Sequence, residues 1–284
     1  MRHLTSGLNR KSPFQALHSK VLAVSGKDSD FHYPCACTPR LPPAPDLARW
    51  AYPRPLFACN TALLSGCNIA KFPGNIEAGE LGLAAVPGRQ DEFRTGLNEA
   101  VRWASDLGCD RIHIMAGRVP LGLERQNIEE EMEETFIENL QYAADILAQA
   151  GMVGLLEPIN SLISEPRYFL NTPQHAASIL QKVKRPNLKL QMDLYHWQIM
   201  GGNLTQNIKT YFPLIGHVQI AQVPHRNEPD SPGELNFMYL FDLLQELGYQ
   251  GYVGCEYKPQ GDTAKGLGWM KKYLKYCHVD NKTN

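Results

Sequence analysis

The chain has 284 residues, with 28 basic and 29 acidic side chains and a net charge of −1. The length suffices for one large α/β domain, while the charge balance gives no reason to expect nucleic acid or a membrane surface as partner, and no apolar run approaches the roughly 18 residues of a membrane span. The seven cysteines are irregularly spaced and form no C-x-x-C pair, which speaks against a zinc ribbon or a thioredoxin-type site and for reduced thiols in a cytoplasmic protein.

Residues 1–71 differ from the rest. Pro42, Pro43 and Pro45 crowd one stretch, basic residues outnumber acidic ones, and the periodicity is poor. This segment reads as disordered or irregular, with Val21–Val24 its one candidate strand. From residue 72 the pattern becomes regular. Glu92 to Leu107 predicts an amphipathic helix with Phe93, Leu97, Ala100, Val101 and Ala104 on one face, stopped by Gly108. Arg111 to Met115 predicts a strand, and Glu129 to Ala150 a long helix that is acidic at its start. Strand Met152 to Glu157 leads to a helix over Pro173 to Val183 with Thr172 as N-cap. Strand Leu188 to Asp193 leads to a helix near Leu204 to Tyr211, and strand Ile215 to Ala221 to a helix over Asn236 to Leu247. Strand Tyr252 to Tyr257 and a helix over Ala264 to Tyr276 complete a domain of residues 72–276, followed by a tail of residues 277–284. Five strands alternating with helices predict a parallel sheet with helices outside, either a closed (β/α)₈ TIM barrel or an open sheet.

Four of these strands end on an oxygen-bearing side chain. These are Glu157, Asp193, Gln219 and Glu256, separated by 36, 26 and 37 residues. Each interval fits one β/α unit, so all four are expected at the same, C-terminal, end of the sheet, where such folds build their sites. One carboxylate there is as readily a helix cap. Three carboxylates and an amide together would repel unless a cation lay between them, and a hard ion such as Mg²⁺ or Mn²⁺ suits the donors. His196 follows Asp193 by three residues, where the loop above the site is expected to begin. It reads either as a contact to a substrate oxygen or as a loop histidine bonded to backbone. Arg226, on the loop after Gln219, could hold a substrate carboxylate or lie solvated. His217 and His113 read as polar fillers of the sheet interior, and Cys255 as core. Two glutamates around one divalent ion suit proton transfer beside a polarised carbonyl, of the aldose–ketose type.

Several motifs in order carry a resemblance. They are Gly82-Leu-Ala-Ala-Val-Pro-Gly88, His113-Ile-Met-Ala-Gly117, Leu156-Glu-Pro-Ile-Asn160, Gln191-Met-Asp-Leu-Tyr-His-Trp197, Gly216-His-Val-Gln-Ile-Ala-Gln-Val-Pro224, Ser231-Pro-Gly-Glu-Leu-Asn236 and Gly254-Cys-Glu-Tyr-Lys-Pro259. From about residue 74 to 273 the chain resembles the hydroxypyruvate isomerases of the xylose-isomerase-like TIM barrels. The resemblance implies a (β/α)₈ barrel that converts hydroxypyruvate to 2-hydroxy-3-oxopropanoate, a reaction of glyoxylate metabolism. It implies Glu157 and Glu256 as proton donor and acceptor, and Glu157, Asp193, Gln219 and Glu256 as metal positions. It matches His196 and Arg226 to positions that contact substrate in related keto-sugar epimerases. The expected partner is the small-molecule substrate, with a homo-oligomer left open. Members of the family begin with an A-N-L-S-W type strand and a second strand ending in E-V. Neither stands in residues 1–70, so the first two β/α units are expected to be absent or replaced. A ketose 3-epimerase is the nearest alternative, but Gln219 stands where such enzymes usually have histidine. An endonuclease IV type nuclease would need a histidine-rich zinc site and a basic groove. A truncated, non-catalytic isoform is the alternative outside catalysis.

Overall fold

The computed structural model describes residues 70–72, as backbone, and residues 79–270. The segment 1–69, with the candidate strand Val21–Val24, and the tail 277–284 lie outside the described residues, as does the predicted last helix beyond residue 270. Six parallel strands form one sheet: β1 (Ala70–Phe72), β2 (Arg111–Ile114), β3 (Val153–Leu156), β4 (Leu188–Asp193), β5 (Ile215–Ile220) and β6 (Val253–Cys255). Their spatial order is their sequence order. Each strand pairs with the next through a crossover, which is how a barrel is wound rather than a doubly wound open sheet. β1 is a sixth strand beyond the five expected, and it straddles the boundary drawn at residues 71 and 72. Three residues are too few to carry a two-residue alternation.

The helices are α1 (Gln90–Asp106), α2 (Arg125–Gln149), α3 (Pro173–Val183), α4 (Leu194–Met200), α5 (Leu204–Tyr211), α6 (Phe237–Glu246) and the short α7 (Thr263–Gly266), with a 3₁₀ turn at Phe212–Leu214. α3 and α5 match their predicted bounds, and the Thr172 side chain accepts from the His175 backbone N–H at 3.2 Å, as an N-cap does. Among the described residues no helix is long and apolar enough to cross a membrane.

The helices bury one stripe against the sheet. Phe93, Leu97, Ala100 and Ala104 of α1 and Met132, Phe136, Leu140, Ala143 and Leu147 of α2 are all buried. α2 comes especially close to β3 because residue 154 is glycine. A Cβ there would lie 2.9 Å from Leu147 Cδ1 and 2.6 Å from Leu188 Cδ2. A second glycine fixes the segment before α1. Gly82 has φ of 101° and forms a bridge to Ala116 just past β2, and a Cβ on it would sit 2.0 Å from the Met115 carbonyl oxygen. Leu83, Ala84 and Ala85 then cover the end of β2, with the Ala85 N–H donating to the Ala116 carbonyl at 2.7 Å.

One irregularity lies between β4 and β5. Leu190 pairs with Ile215, but Gln191 pairs with His217, so Gly216 is an extra residue on β5. Beyond it the strands run in register, and Asp193 stands beside Gln219.

Candidate active site

The C-terminal strand ends come together as the spacing predicts. Glu157 follows β3 directly, Asp193 ends β4, Gln219 is the penultimate residue of β5, and Glu256 follows β6. Glu157, Asp193 and Gln219 are fully buried, whereas the Glu256 side chain keeps 16% of its surface exposed. One ligand atom from each of Glu157, Asp193 and His196 lies within 4.8 Å of the other two. Gln219 joins this group through an intermediary, and Glu256 through Arg226 and a side-chain hydrogen bond with Asp193. Gln219 Oε1 accepts from Gln191 Nε2, which also donates to Glu157 Oε2 at 2.7 Å. Glu256 is tied in by Arg226.

Arg226 is not a solvated loop arginine. Its Nη2 donates to Glu256 Oε2 at 2.9 Å and to Asp193 Oδ2 at 3.3 Å, and its Nε to the Glu256 carbonyl at 3.2 Å. The guanidinium also lies 4.9 Å from the centre of the Tyr195 ring, a cation–π distance. Its backbone holds φ of 60°, in the left-handed region. The flanking carboxylates of Glu256 and Asp193 raise its pKa against the opposing effect of burial.

His196 departs from the expected loop. It sits on α4, which starts at the residue after Asp193, and the Asp193 side chain caps that helix by accepting from the Tyr195 N–H at 2.8 Å. Asp193 therefore both faces the site and starts the helix that carries His196. The imidazole Nε2 lies 3.8 Å from Glu157 Oε1 and 3.8 Å from Asp193 Oδ2. Its Nδ1 faces Asn160, at 3.2 Å from the backbone nitrogen and 2.7 Å from Nδ2.

Beneath these groups lies a buried polar layer of His113, Gln191 and His217. His113 does more than fill space, because its Nδ1 is 3.3 Å from Glu157 Oε2. Gln191 is not marked out by the sequence as a partner of the site, and Asn160 reads only as a non-catalytic residue on the loop after Glu157. A signal existed for Gln191, which stands two residues before Asp193 and so shares its face of the strand. Asn160 meets His196 across 36 residues of chain, and no local pattern announces that contact. Cys255 is buried core, as expected.

Burial pushes the Asp193 carboxyl up to about 6; Arg226 opposes this and Glu256 reinforces it. Three carboxylates against one guanidinium leave an excess of negative charge in a largely buried place. The donor set therefore fits a divalent cation. Two oxygen ligands on one Mg²⁺ at about 2.1 Å can be at most about 4.2 Å apart. The ligand atoms of Glu157, Asp193 and His196 lie within 4.8 Å of one another, a separation of the same order as that limit.

Comparisons with known proteins show the family. Residues 64–273 match the family model described as xylose isomerase-like TIM barrel. A Xenopus laevis protein provisionally named hydroxypyruvate isomerase is 87% identical over 235 residues, covering 81% of this chain and 86% of its own. A Cupriavidus necator 2-oxo-tetronate isomerase is 46% identical over 202 residues, covering 71% and 75%. A crystal structure of a Brucella melitensis protein described as AP endonuclease, family 2, is 45% identical and superposes with a TM-score of 0.68, covering 72% of this chain and 78% of that one. The chain belongs to the xylose isomerase-like TIM barrels, within the hydroxypyruvate isomerase family, and is an isomerase.

Proposed function

We propose that the protein interconverts hydroxypyruvate and 2-hydroxy-3-oxopropanoate by proton transfer between two carbons, with Glu157 and Glu256 as the acid–base pair. The observation that carries this reading is the convergence of Glu157, Asp193, His196, Arg226 and Glu256 on one buried spot at the strand ends. Glu157, Asp193, Gln219 and Glu256 would hold a Mg²⁺ or Mn²⁺ ion. When bound, that ion supplies Lewis-acid polarisation of the carbonyl and offsets the charge that develops on the substrate oxygens.

The residues of the chain do the rest. One glutamate takes a proton from C3, the carbon bearing the hydroxyl, and the C2–C3 enediolate forms. The other glutamate delivers a proton to C2 while the hydroxyl proton passes from O3 to O2. One C–H bond breaks and one forms, so no oxidant is needed. Arg226 is the cation at hand for the substrate carboxylate, by a charge-assisted pair. His196, whose Nε2 lies 3.8 Å from both Glu157 Oε1 and Asp193 Oδ2, would contact a substrate oxygen. The buried layer beneath excludes water and keeps the carboxylates oriented.

A second reading keeps the chemistry and lengthens the substrate. The Cupriavidus relative is named for 2-oxo-tetronate, which is also a 2-oxo acid with a neighbouring hydroxyl and a carboxylate. The partly exposed Glu256 side of the site favours room there. A nuclease reading gains little: the metal-competent group among the described residues contains one histidine, and the chain is almost neutral. The test is NMR in D₂O of the full chain with each acid, first with Mg²⁺ or Mn²⁺ and then with chelator. Metal-dependent isomerisation with deuterium entering carbon is the expected result. Turnover that survives exhaustive chelation would remove the metal, and no turnover of either acid by a folded chain would remove the substrate class.

A further inference from the structure

Two kinds of contact hold the Arg226 guanidinium. Its Nε and Nη2 donate to oxygens of Glu256 and Asp193, which fixes one edge of the group. Its central carbon lies over the Tyr195 ring, 4.9 Å from the ring centre. A cation over an aromatic face is attracted by the ring quadrupole, and the attraction consumes no N–H donor. Three of the five guanidinium N–H groups sit on Nε and Nη2, so the ring adds a hold on the cation without drawing on the two that remain on Nη1. Tyr195 is itself well anchored. It is 3% exposed, it stands in the first turn of α4, and its backbone N–H donates to Asp193 Oδ1 at 2.8 Å. Its ring also meets the His196 imidazole, with centres 5.3 Å apart and planes at 70°. One ring thus touches both side chains that the proposed function sets against the substrate.

We propose that Tyr195 is a positioning residue whose ring face holds the Arg226 guanidinium in place for the carboxylate of the substrate. The aromatic face does this and the phenol hydroxyl does not, so phenylalanine serves in its place and an aliphatic side chain does not. The helix after β4 thus steadies a cation carried by the loop after β5. The cap bond from the Tyr195 backbone N–H to Asp193 survives every substitution at this position, so α4 keeps its start and the ring alone is put to the test. That the ligand of Arg226 is a substrate carboxylate rests on the isomerase reading above; the hold of the ring on the guanidinium does not.

The test pairs NMR of the full chain labelled with ¹³C,¹⁵N-arginine, with Mg²⁺ present and without substrate, with steady-state kinetics on hydroxypyruvate. Arg226→Met assigns the signals. In the wild type the Arg226 side-chain protons should be shifted upfield by the ring current of Tyr195. Tyr195→Phe should keep that shift and a near-normal KM. Tyr195→Leu should abolish the shift and raise KM about 5- to 30-fold, with a smaller change in kcat. If the leucine variant does not fold, trifluorophenylalanine at position 195 replaces it. This residue keeps the shape of phenylalanine while fluorine withdraws the negative charge of the ring face, and KM should rise severalfold over that of Tyr195→Phe. Arg226 protons at ordinary positions in the wild type overturn the proposal. So does a leucine or trifluorophenylalanine chain whose KM stays at the phenylalanine value, or one that loses kcat alone, which would assign the ring to His196 instead. The upfield shift, kept by phenylalanine and lost with leucine, in chains that leave hydroxypyruvate untouched upholds the hold of Tyr195 on Arg226 and sinks only the substrate reading.

Discussion

Removing the Arg226 guanidinium should cost stability in a way that a divalent ion repairs. Arg226 Nη2 spans Glu256 Oε2 at 2.9 Å and Asp193 Oδ2 at 3.3 Å, and Asp193 is fully buried. Taking one partner from a buried ion pair costs about 3–5 kcal/mol, because the remaining charge stays desolvated. The Arg226 side chain keeps 20% of its surface exposed, so the lower end of that range applies. Arg226→Met, which retains the aliphatic bulk, should therefore lose about 3 kcal/mol in chelator. For a domain of this size that corresponds to roughly 6–12 °C in Tm. An ion at a hundred times its Kd stabilises the native state by about 2.7 kcal/mol, and a site freed of a competing cation should bind it at least as well. The assay is urea or thermal unfolding of wild type and variant, in EDTA and in millimolar Mn²⁺. The variant should gain more from Mn²⁺ than the wild type does. Equal stability of the two chains in EDTA would refute the reasoning, because it would mean that Arg226 offsets no buried charge.

Other expectations follow from the same geometry. Glu157→Gln and Glu256→Gln should each reduce kcat by about 10²- to 10⁴-fold while the unfolding midpoint is largely kept; near-normal turnover in either would end the two-glutamate scheme. Gly82→Ala places a Cβ 2.0 Å from the Met115 carbonyl oxygen on a backbone with φ of 101°. It should destabilise the chain by about 2–4 kcal/mol in urea unfolding, and a neutral result would show that the segment before α1 is free to shift. Burial lowers the pKa of His175 below its ordinary 6.5, despite the nearby Glu133 carboxylate. The unfolded chain then binds the proton more readily, so this contribution is complete above the unfolded value and is lost as pH falls through the folded one. Stability measured from pH 7.5 down to pH 5 should decline less steeply in His175→Gln than in wild type; matching slopes would contradict the assignment.

The four strand-end positions are plain in the sequence because their placement depends on counting. A strand that ends on a carboxylate, repeated at the interval of a β/α unit, needs no tertiary knowledge to be placed at one end of a sheet. Glu157, Asp193, Gln219 and Glu256 were legible on that ground. Their neighbours were less so. The helix α4 is not legible, because Leu194–Met200 is only seven residues long and takes the last strand residue as its cap, leaving no separate cap to see. β1 was too short to show a period. The contacts of Asn160 with His196, and of Gln191 with Glu157, join residues 36 and 34 positions apart, and such pairings depend on how the strands are registered. The position of Arg226 on the loop after Gln219 puts it near the site, but its bridge between two carboxylates goes with a left-handed backbone that no composition rule supplies at an arginine.

The extra residue at Gly216 divides β5 into two half-strands of opposite phase. Ile215 pairs with Leu190, while His217 and Gln219 pair with Gln191 and Asp193, so the side that each half presents to the barrel is reset at the glycine. Carried on from Leu190 and Ile215 without that extra residue, the register would set Val218 rather than Gln219 beside Asp193, so one glycine decides which side chain of β5 stands next to that carboxylate.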